Sequence, residues 1–250
     1  MKATAILRYC AGAALLAFAS MFTLAHGAPP ASRETTMTST LSAKQAAIPQ
    51  IAAATATSDM PALRTALVRG LDAGLTVSES KEILVHLYAY AGFPRSLNAL
   101  GELMKVLDER RQRGIEDAPG REPSRKAATG DALLNAGTDN QTRISGAPVK
   151  GPVFEFAPVI NRFLQTHLFG DLFERDNLDW QSRELATVGA LAAAPGLEAQ
   201  LRAHMSASLN VGLSLEQLKQ IGQLLHSAGD EGAAARADAA IESVTPARQH

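Results

Sequence analysis

The chain of 250 residues resembles itself when the sequence is shifted by 138 positions. The matched positions run through two segments: Leu63-Arg64 with Leu201-Arg202, Leu71 with Leu209, Gly74-Leu75 with Gly212-Leu213, and Lys81 with Lys219. A fixed offset of this kind is typical of a tandem duplication, in which two copies of one structural unit pack together. We therefore predict two similar units within one chain.

Both segments carry the same signals for ending one helix and beginning the next. Gly74 and Gly212 suit the left-handed conformation that follows many helix C-termini. Thr76 and Ser214 then open capping boxes of the kind that begins a helix. No segment has the pattern of a β-strand, and the aromatic content of 5% favours aliphatic helix packing over a β-sandwich. We predict an all-α fold.

Composition divides the chain into six predicted segments. These are a signal peptide (1–27), a flexible N-terminus (28–40), repeat 1 (41–107), a linker (108–152), an aromatic-rich helix with repeat 2 (153–235) and a C-terminal tail (236–250). The linker has mixed charge followed by Gly, Asn, Thr and Pro, which is typical of a connection between packed units. The sequence leaves open whether this linker is ordered.

The N-terminus has the three parts of a secretory signal peptide. Lys2 and Arg8 form a positive region, residues 11–25 are apolar, and small residues flank His26. We predict cleavage after residue 27 and a periplasmic or secreted protein, because the apolar run is shorter than the roughly 20 residues of a membrane anchor. The single cysteine, Cys10, lies in the removed segment. The mature chain therefore has neither disulfides nor a thiol-based active site.

Charge and motif content exclude several other classes of protein. The chain has 24 basic and 25 acidic residues, so its net charge of −1 gives no field that attracts nucleic acid. The histidines after the signal segment have neither HExxH nor His-x-His spacing, and we predict no metal site. A glycine-rich phosphate loop and a Gly-x-Ser-x-Gly elbow are also missing from the sequence. We expect no cofactor.

Two polar residues interrupt apolar helix faces in the second segment. His204 lies in a stripe with Leu201 and Met205, and Glu184 shares a face with Trp180, whereas the first segment has alanine at both corresponding positions. Desolvation raises the pKa of a carboxyl group, which suits a general acid or base. The alternatives are a histidine satisfied by a backbone carbonyl and a carboxylate in a purely structural ion pair.

The first segment has a different polar strip. Glu79, Glu82, His86 and Tyr90 fall on one face of a helix whose remaining surface is largely apolar. Glu82, one turn before His86, is expected to raise the pKa of that histidine and to favour proton transfer near neutral pH. The alternative is a solvated helix face with ordinary charge pairs.

These residues resemble two motifs of the carboxymuconolactone decarboxylase family. The segment 82–94 is similar to the family's His-x-x-x-Tyr-x-Gly-x-Pro motif. Arg183-Glu184-Leu185, followed by His204 and Gly212-Leu213-Ser214, resembles its Arg-Glu-Leu…His…Gly-Leu-Thr pattern. The resemblance implies an all-α fold that assembles into rings, commonly trimers or hexamers.

Two branches of this family are relevant. The resemblance to the decarboxylase branch implies removal of CO2 from a carboxylated muconolactone without a cofactor, with buried His and Glu side chains moving protons. The alkylhydroperoxidase D branch reduces peroxides with a Cys-x-x-Cys-x-x-x-His motif. When His204 is aligned with that histidine, Leu197 and Gln200 occupy the cysteine positions, so the thiol mechanism is absent.

Neither segment holds all of the family's residues, and we therefore predict one composite site per chain. The predicted catalytic residues are Glu184, His204 and His86, and the predicted substrate-binding residues are Arg183, Tyr90 and Trp180. In such a site the substrate carboxylate lies near His86 or Arg183. His204 or Glu184 then delivers a proton to the carbanion or dienolate that forms as CO2 leaves.

The favoured hypothesis is an exported, cofactor-independent lyase or isomerase that acts on a small carboxylated lactone or related organic acid. We expect a homo-oligomer with no nucleic-acid partner and no membrane contact after signal cleavage. One alternative is an antioxidant protein of the same superfamily, which a chain without cysteine makes difficult. The other is a helical protein that binds small organic acids without catalysis.

Overall fold

A computed structural model describes residues 40–126 and 128–245, and these residues form helices and connecting segments without a β-strand. The α-helices are Ala43–Thr57 (α1), Met60–Asp72 (α2), Val77–His86 (α3), Tyr88–Ala91 (α4), Phe93–Gln112 (α5), Gly130–Ser145 (α6), Pro152–Phe156 (α7), Pro158–Phe163 (α8), Trp180–Ala193 (α9), Glu198–Asn210 (α10), Leu215–Ser227 (α11) and Glu231–Val244 (α12). A π-helix, Leu164–Leu172, continues α8. The all-α prediction is confirmed. The predicted signal peptide lies outside the described residues.

The predicted helix boundaries are confirmed at atomic detail. The side chains of Thr76 and Ser214 each accept a hydrogen bond from the backbone N–H three residues later, as in a capping box. Gly74 and Gly212 have φ angles of +96° and +97°, a region that side chains with a Cβ rarely adopt. Each glycine therefore lets the chain turn between two helices at a position where another residue would be strained.

The helices themselves repeat at the offset seen in the sequence. The first residues of α10, α11 and α12 lie 138 positions after the first residues of α2, α3 and α5. The first residue of α9 lies within one position of the same offset from α1. The two halves thus have a similar order and spacing of helices. That they arose by duplication of one unit remains a prediction.

Helices α1 and α9 form the centre of the fold. Every residue from 47 to 55 in α1 and from 182 to 193 in α9 is buried, so both helices are covered on all sides. The two helices cross closely at Gly189, where an added Cβ would lie 2.5 Å from the carbonyl oxygen of Pro49. Around this pair, α2, α3, α5, α10, α11 and α12 supply most of the other residues of the main core.

A second, smaller apolar cluster lies beside the main core. It consists of Ile144, Leu168, Phe169, Leu172, Phe173 and Ala207, from α6, the π-helix and its C-terminal end, and α10. Tyr90 packs against both clusters. Side chains near Tyr90 therefore lie at the junction of the two clusters.

The described part of the predicted linker contains the end of α5 and the whole of helix α6. The buried side chain of Ile144 anchors α6 in the second cluster. Before α6, the carbonyl groups of Ala118 and Pro119 accept hydrogen bonds from the N–H groups of Val77 and Ser78. This segment therefore satisfies backbone donors of the first turn of α3, which no earlier residue of that helix can pair.

The predicted C-terminal tail begins too early. Helix α12 continues through Val244, and the side chains of Ala237, Ala240 and Ile241 are buried within the predicted tail. Their spacing of three and four residues is that of one helix face against a core. The aromatic-rich segment is also divided: Phe173 is buried, but Phe156 is 92% exposed. No described helix has the length and apolar character needed to cross a membrane.

Candidate active site

His86 lies at the C-terminal end of α3 and is completely buried. Its Nε2 atom lies 2.9 Å from Oγ1 of Thr187 on α9. The ring of Tyr90 is 5.2 Å away between centroids, and that of Phe173 is 5.5 Å away and inclined at 71° to the imidazole. His86 is therefore held between a central helix and the second apolar cluster.

Glu184 and His204 form a hydrogen-bonded pair between α9 and α10. The Nδ1 atom of His204 lies 2.8 Å from Oε2 of Glu184, and Glu184 is fully buried. A carboxylate oxygen can only accept, so Nδ1 carries the hydrogen and Nε2 is the basic atom of the neutral ring. The side chain of His204 remains 18% exposed, which gives this pair a route for proton exchange with solvent.

Tyr90 joins this pair to His86. Its ring lies 5.5 Å from that of His204, almost perpendicular to it, as well as 5.2 Å from that of His86. The structure thus brings His86, Glu184 and His204 together, which the sequence had left open. Burial, and then the charge of Glu184, raise the pKa of the Tyr90 hydroxyl, so this group stays protonated and can donate.

Glu82 is bound by two arginines instead of supporting His86. Its carboxylate accepts three hydrogen bonds of 2.8 to 3.0 Å from Arg175 and one of 2.8 Å from Arg183. Burial alone would raise the pKa of Glu82, but the hydrogen bonds from Arg175 and the charge of Arg183 lower it overall. Glu82 is thus an ionised anchor for α3, α9 and the loop between the π-helix and α9.

The prediction that Glu82 raises the pKa of His86 is wrong. Burial lowers the pKa of His86 well below its ordinary value of 6.5, and the nearby charges of Arg183 and His204 lower it further. The alternative of a solvated helix face also fails, because Glu82 and His86 are both buried. His86 is therefore a neutral imidazole at neutral pH.

Arg183 is a fully buried cation with incomplete hydrogen bonding. Its Nη2 atom donates to Glu82 and to the carbonyl oxygen of Arg175, whereas Nε and Nη1 have no partner. Burial lowers the pKa of Arg183, while the charge of Glu82 opposes this shift. The guanidinium keeps its charge in proteins and therefore retains two donor atoms for a further acceptor.

Trp180 lies beyond Phe173 as seen from His86. Its Nε1 atom donates to the carbonyl oxygen of Phe173 at 3.1 Å, and the two rings are 6.0 Å apart. The guanidinium of Arg143 lies 4.7 Å from the centre of the Trp180 ring on another side. Trp180 thus supports the aromatic wall that touches His86, and its predicted contact with substrate stays a prediction.

Several polar atoms of this cluster are buried without a hydrogen-bond partner. They are Nδ1 of His86, the hydroxyl of Tyr90, Nε and Nη1 of Arg183, and Oε1 of Glu184. Buried polar groups in native proteins are nearly always paired, so such a concentration is typical of a place that water or a ligand completes. The set contains donors and acceptors, which suits a small ligand that carries both.

Three residues of the site were not predicted from the sequence. Thr187 follows Arg183 by one helical turn, so helix periodicity around Glu184 could have found it. Phe173 and Arg175 lie in a connection whose path the sequence does not define. Among the described residues, no group of three or more His, Cys, Asp or Glu side chains is arranged to hold a metal ion.

The fold and site define an all-α protein in which a buried glutamate is paired with a partly exposed histidine, and a tyrosine ring lies between this pair and a second histidine. The model of the Carboxymuconolactone decarboxylase family matches residues 158–243. This part of the chain is similar to that family, as the motifs predicted. The matched part contains Glu184, Thr187 and His204, whereas His86 and Tyr90 lie outside it. A search of curated proteins gives no match to the chain.

Proposed function

We propose that the protein is an exported, cofactor-independent acid–base lyase that acts on a small carboxylated lactone or a related organic acid. The observation that carries this proposal is the hydrogen-bonded pair of Glu184 and His204 beside the buried, unpartnered hydroxyl of Tyr90. A carboxylate that orients one imidazole nitrogen leaves the other free to move a proton. Export rests on residues 1–27, which lie outside the described residues.

The buried cation of the site is suited to the substrate carboxylate. His86 is neutral, because burial lowers its pKa, so it does not provide a charge for this purpose. Arg183 is permanently charged and has two buried donor atoms without a partner. We therefore assign the substrate carboxylate to Arg183 rather than to His86, with the Tyr90 hydroxyl as a neutral donor to a lactone oxygen.

Proton delivery falls to His204. When the carbon–carboxylate bond breaks, its electron pair passes into the adjacent unsaturated system and CO2 leaves. The resulting dienolate takes a proton at carbon from the protonated His204 ring, while Glu184 stabilises the positive charge before the transfer. Solvent then returns a proton to His204, whose side chain is the partly exposed member of the pair.

The test is the ultraviolet-monitored loss of carboxymuconolactone in the presence of the purified protein. We expect turnover in the wild type and at least about a hundredfold loss in His204→Ala, because the proton donor is removed. His226→Ala is a matched control, since His226 also lies 2.8 Å from a carboxylate, Glu231, but on the exposed surface. Equal turnover in His204→Ala and His226→Ala would contradict the assignment.

A helical protein that binds organic acids without catalysis is the second candidate. The buried unpartnered atoms of Arg183 and Tyr90 favour it as much as they favour a lyase, since they hold a ligand in either case. Thermal stabilisation by the lactone without any loss of the lactone would support this candidate. Wild-type turnover would contradict it.

A further inference from the structure

The two ring nitrogens of His86 have different surroundings. Nε2 lies 2.9 Å from Oγ1 of Thr187, whereas Nδ1 is buried and has no hydrogen-bond partner. The rings of Tyr90 and Phe173 cover other parts of the imidazole through contacts between ring faces and edges. The backbone carbonyl of Arg183 also accepts a hydrogen bond from the His86 ring. Because Nδ1 has no partner, both this carbonyl and Thr187 act on Nε2.

Thr187 has a second partner that fixes the direction of its hydroxyl. Its Oγ1 atom lies 3.0 Å from the carbonyl oxygen of Arg183, one helical turn earlier. A carbonyl oxygen can only accept, so the hydroxyl donates its single hydrogen to Arg183. The hydroxyl oxygen is then an acceptor towards His86, and Nε2 of His86 must be the donor.

We infer that Thr187 is a positioning residue, which holds neutral His86 in its Nε2–H form and leaves Nδ1 as the basic atom of the ring. Thr187 and His86 are both completely buried, so water does not compete for this hydrogen bond. A hydrogen bond to one ring nitrogen commonly decides the state of the other nitrogen in functional histidines.

The charged and titratable groups around His86 favour the neutral ring on which this tautomer depends. Arg183 on α9 and His204 on α10 both lower the pKa of His86 through their charges. Tyr90 on α4 stays protonated, because burial raises its pKa. Glu82, on the same helix as His86, is committed to the arginines. The hydrogen bond to the backbone carbonyl of Arg183 opposes these shifts by raising the pKa of His86, but burial outweighs it.

The two predicted copies support a link between Thr187 and His86. The positions 138 residues away from them hold Pro49 and Leu224, neither of which has a side chain that forms hydrogen bonds. The combination of segments that forms the candidate site therefore has both the hydroxyl and the imidazole. The corresponding combination at the offset of 138 has neither. This pattern fits a pair in which one residue acts through the other.

The inference rests on the proposed function only for its effect on turnover. In the proposed lyase, the basic Nδ1, which is buried and has no partner in the protein, accepts a hydrogen bond or a proton from the bound acid. The tautomer itself can be measured without substrate.

The first test is nitrogen-15 NMR of the histidine rings in the wild type, Thr187→Val and Thr187→Ser, with His86→Gln used to assign the signals. We expect a protonated Nε2 and an unprotonated Nδ1 in the wild type and in Thr187→Ser. Thr187→Val has nearly the same shape but lacks the hydroxyl acceptor and keeps only the carbonyl of Arg183, so a population with protonated Nδ1 should appear. A protonated Nδ1 in the wild type, or an unchanged tautomer in Thr187→Val, would overturn the inference.

The second test is the kinetics of the same proteins with carboxymuconolactone. We expect kcat to fall about tenfold or more in Thr187→Val, with little change in KM and recovery in Thr187→Ser. An altered tautomer with unchanged kcat would overturn the positioning role. If no protein shows turnover, the proposed function fails, and the NMR spectra alone still confirm or overturn the tautomer.

Discussion

At the scale of single residues, the charged part of the site depends on Glu82. Its carboxylate is 2% exposed and binds Arg183, which is 0% exposed. Replacing Glu82 with Gln leaves that cation buried without its counter-charge. We expect the free energy of unfolding to fall by about 3–5 kcal/mol at neutral pH, as when one partner of a buried ion pair is removed. Chemical denaturation of the wild type and the variant measures this difference.

The effect of Glu82→Gln should also depend on pH in a defined direction. The folded protein lowers the pKa of Glu82, so its stabilisation is fully present above the ordinary value of 4.5 and is lost as the pH falls through the lower folded value. The difference in stability between wild type and variant should therefore narrow below pH 4.5. Glu216→Gln is the control, because its pair with Lys219 is exposed and should contribute little. Equal losses in the two variants would contradict the role of Glu82.

At the scale of helices, the close crossing of α1 and α9 positions the site, because α9 carries Glu184 and Thr187. We expect Gly189→Ala to destabilise the protein by about 1–3 kcal/mol, since the new methyl group meets the backbone of Pro49 and the helices must separate. Gly101→Ala is a matched control within α5, where an added Cβ meets nothing within 4 Å. This control should stabilise the protein by about 0.5–1 kcal/mol. Thermal unfolding measures both changes, and equal midpoints would show that the crossing tolerates a side chain.

The same scale shows what the sequence could and could not predict. Capping boxes and glycine stops depend on neighbouring residues, and the boundaries at Thr76 and Ser214 were therefore predictable. The partner of Glu82 was not, because Arg175 lies 93 positions away in a loop and competes successfully with the nearby His86. Apolar helix faces and a family resemblance identified Glu184 and His204 as candidates, whereas their pairing and the role of Thr187 depend on contacts between helices that the sequence does not define.

At the scale of the whole molecule, the candidate site uses both predicted copies. His86 and Tyr90 come from α3 and α4, and Glu184 and His204 come from α9 and α10. The corresponding elements at the offset of 138 are α1, α2 and the junction of α11 with α12. These elements line a groove of about 660 Å³. Alanines 66 and 228 line it at the positions that correspond to His204 and Tyr90. The groove therefore has small side chains where the candidate site has an imidazole and a phenol.

The surface of α5 supports the proposed homo-oligomer. Phe93, Leu97 and Met104 are 63%, 62% and 67% exposed, and their spacing places them on one face of a 20-residue helix. A stripe of large apolar side chains is costly in water and typical of a protein interface. We expect Leu97→Glu to lower the molar mass measured by light scattering, because a charge at the centre of the stripe opposes burial. Phe156→Glu, on the exposed side chain of α7, should leave the mass unchanged. A wild-type monomer, or a loss of mass in Phe156→Glu alone, would show that the stripe does not join subunits.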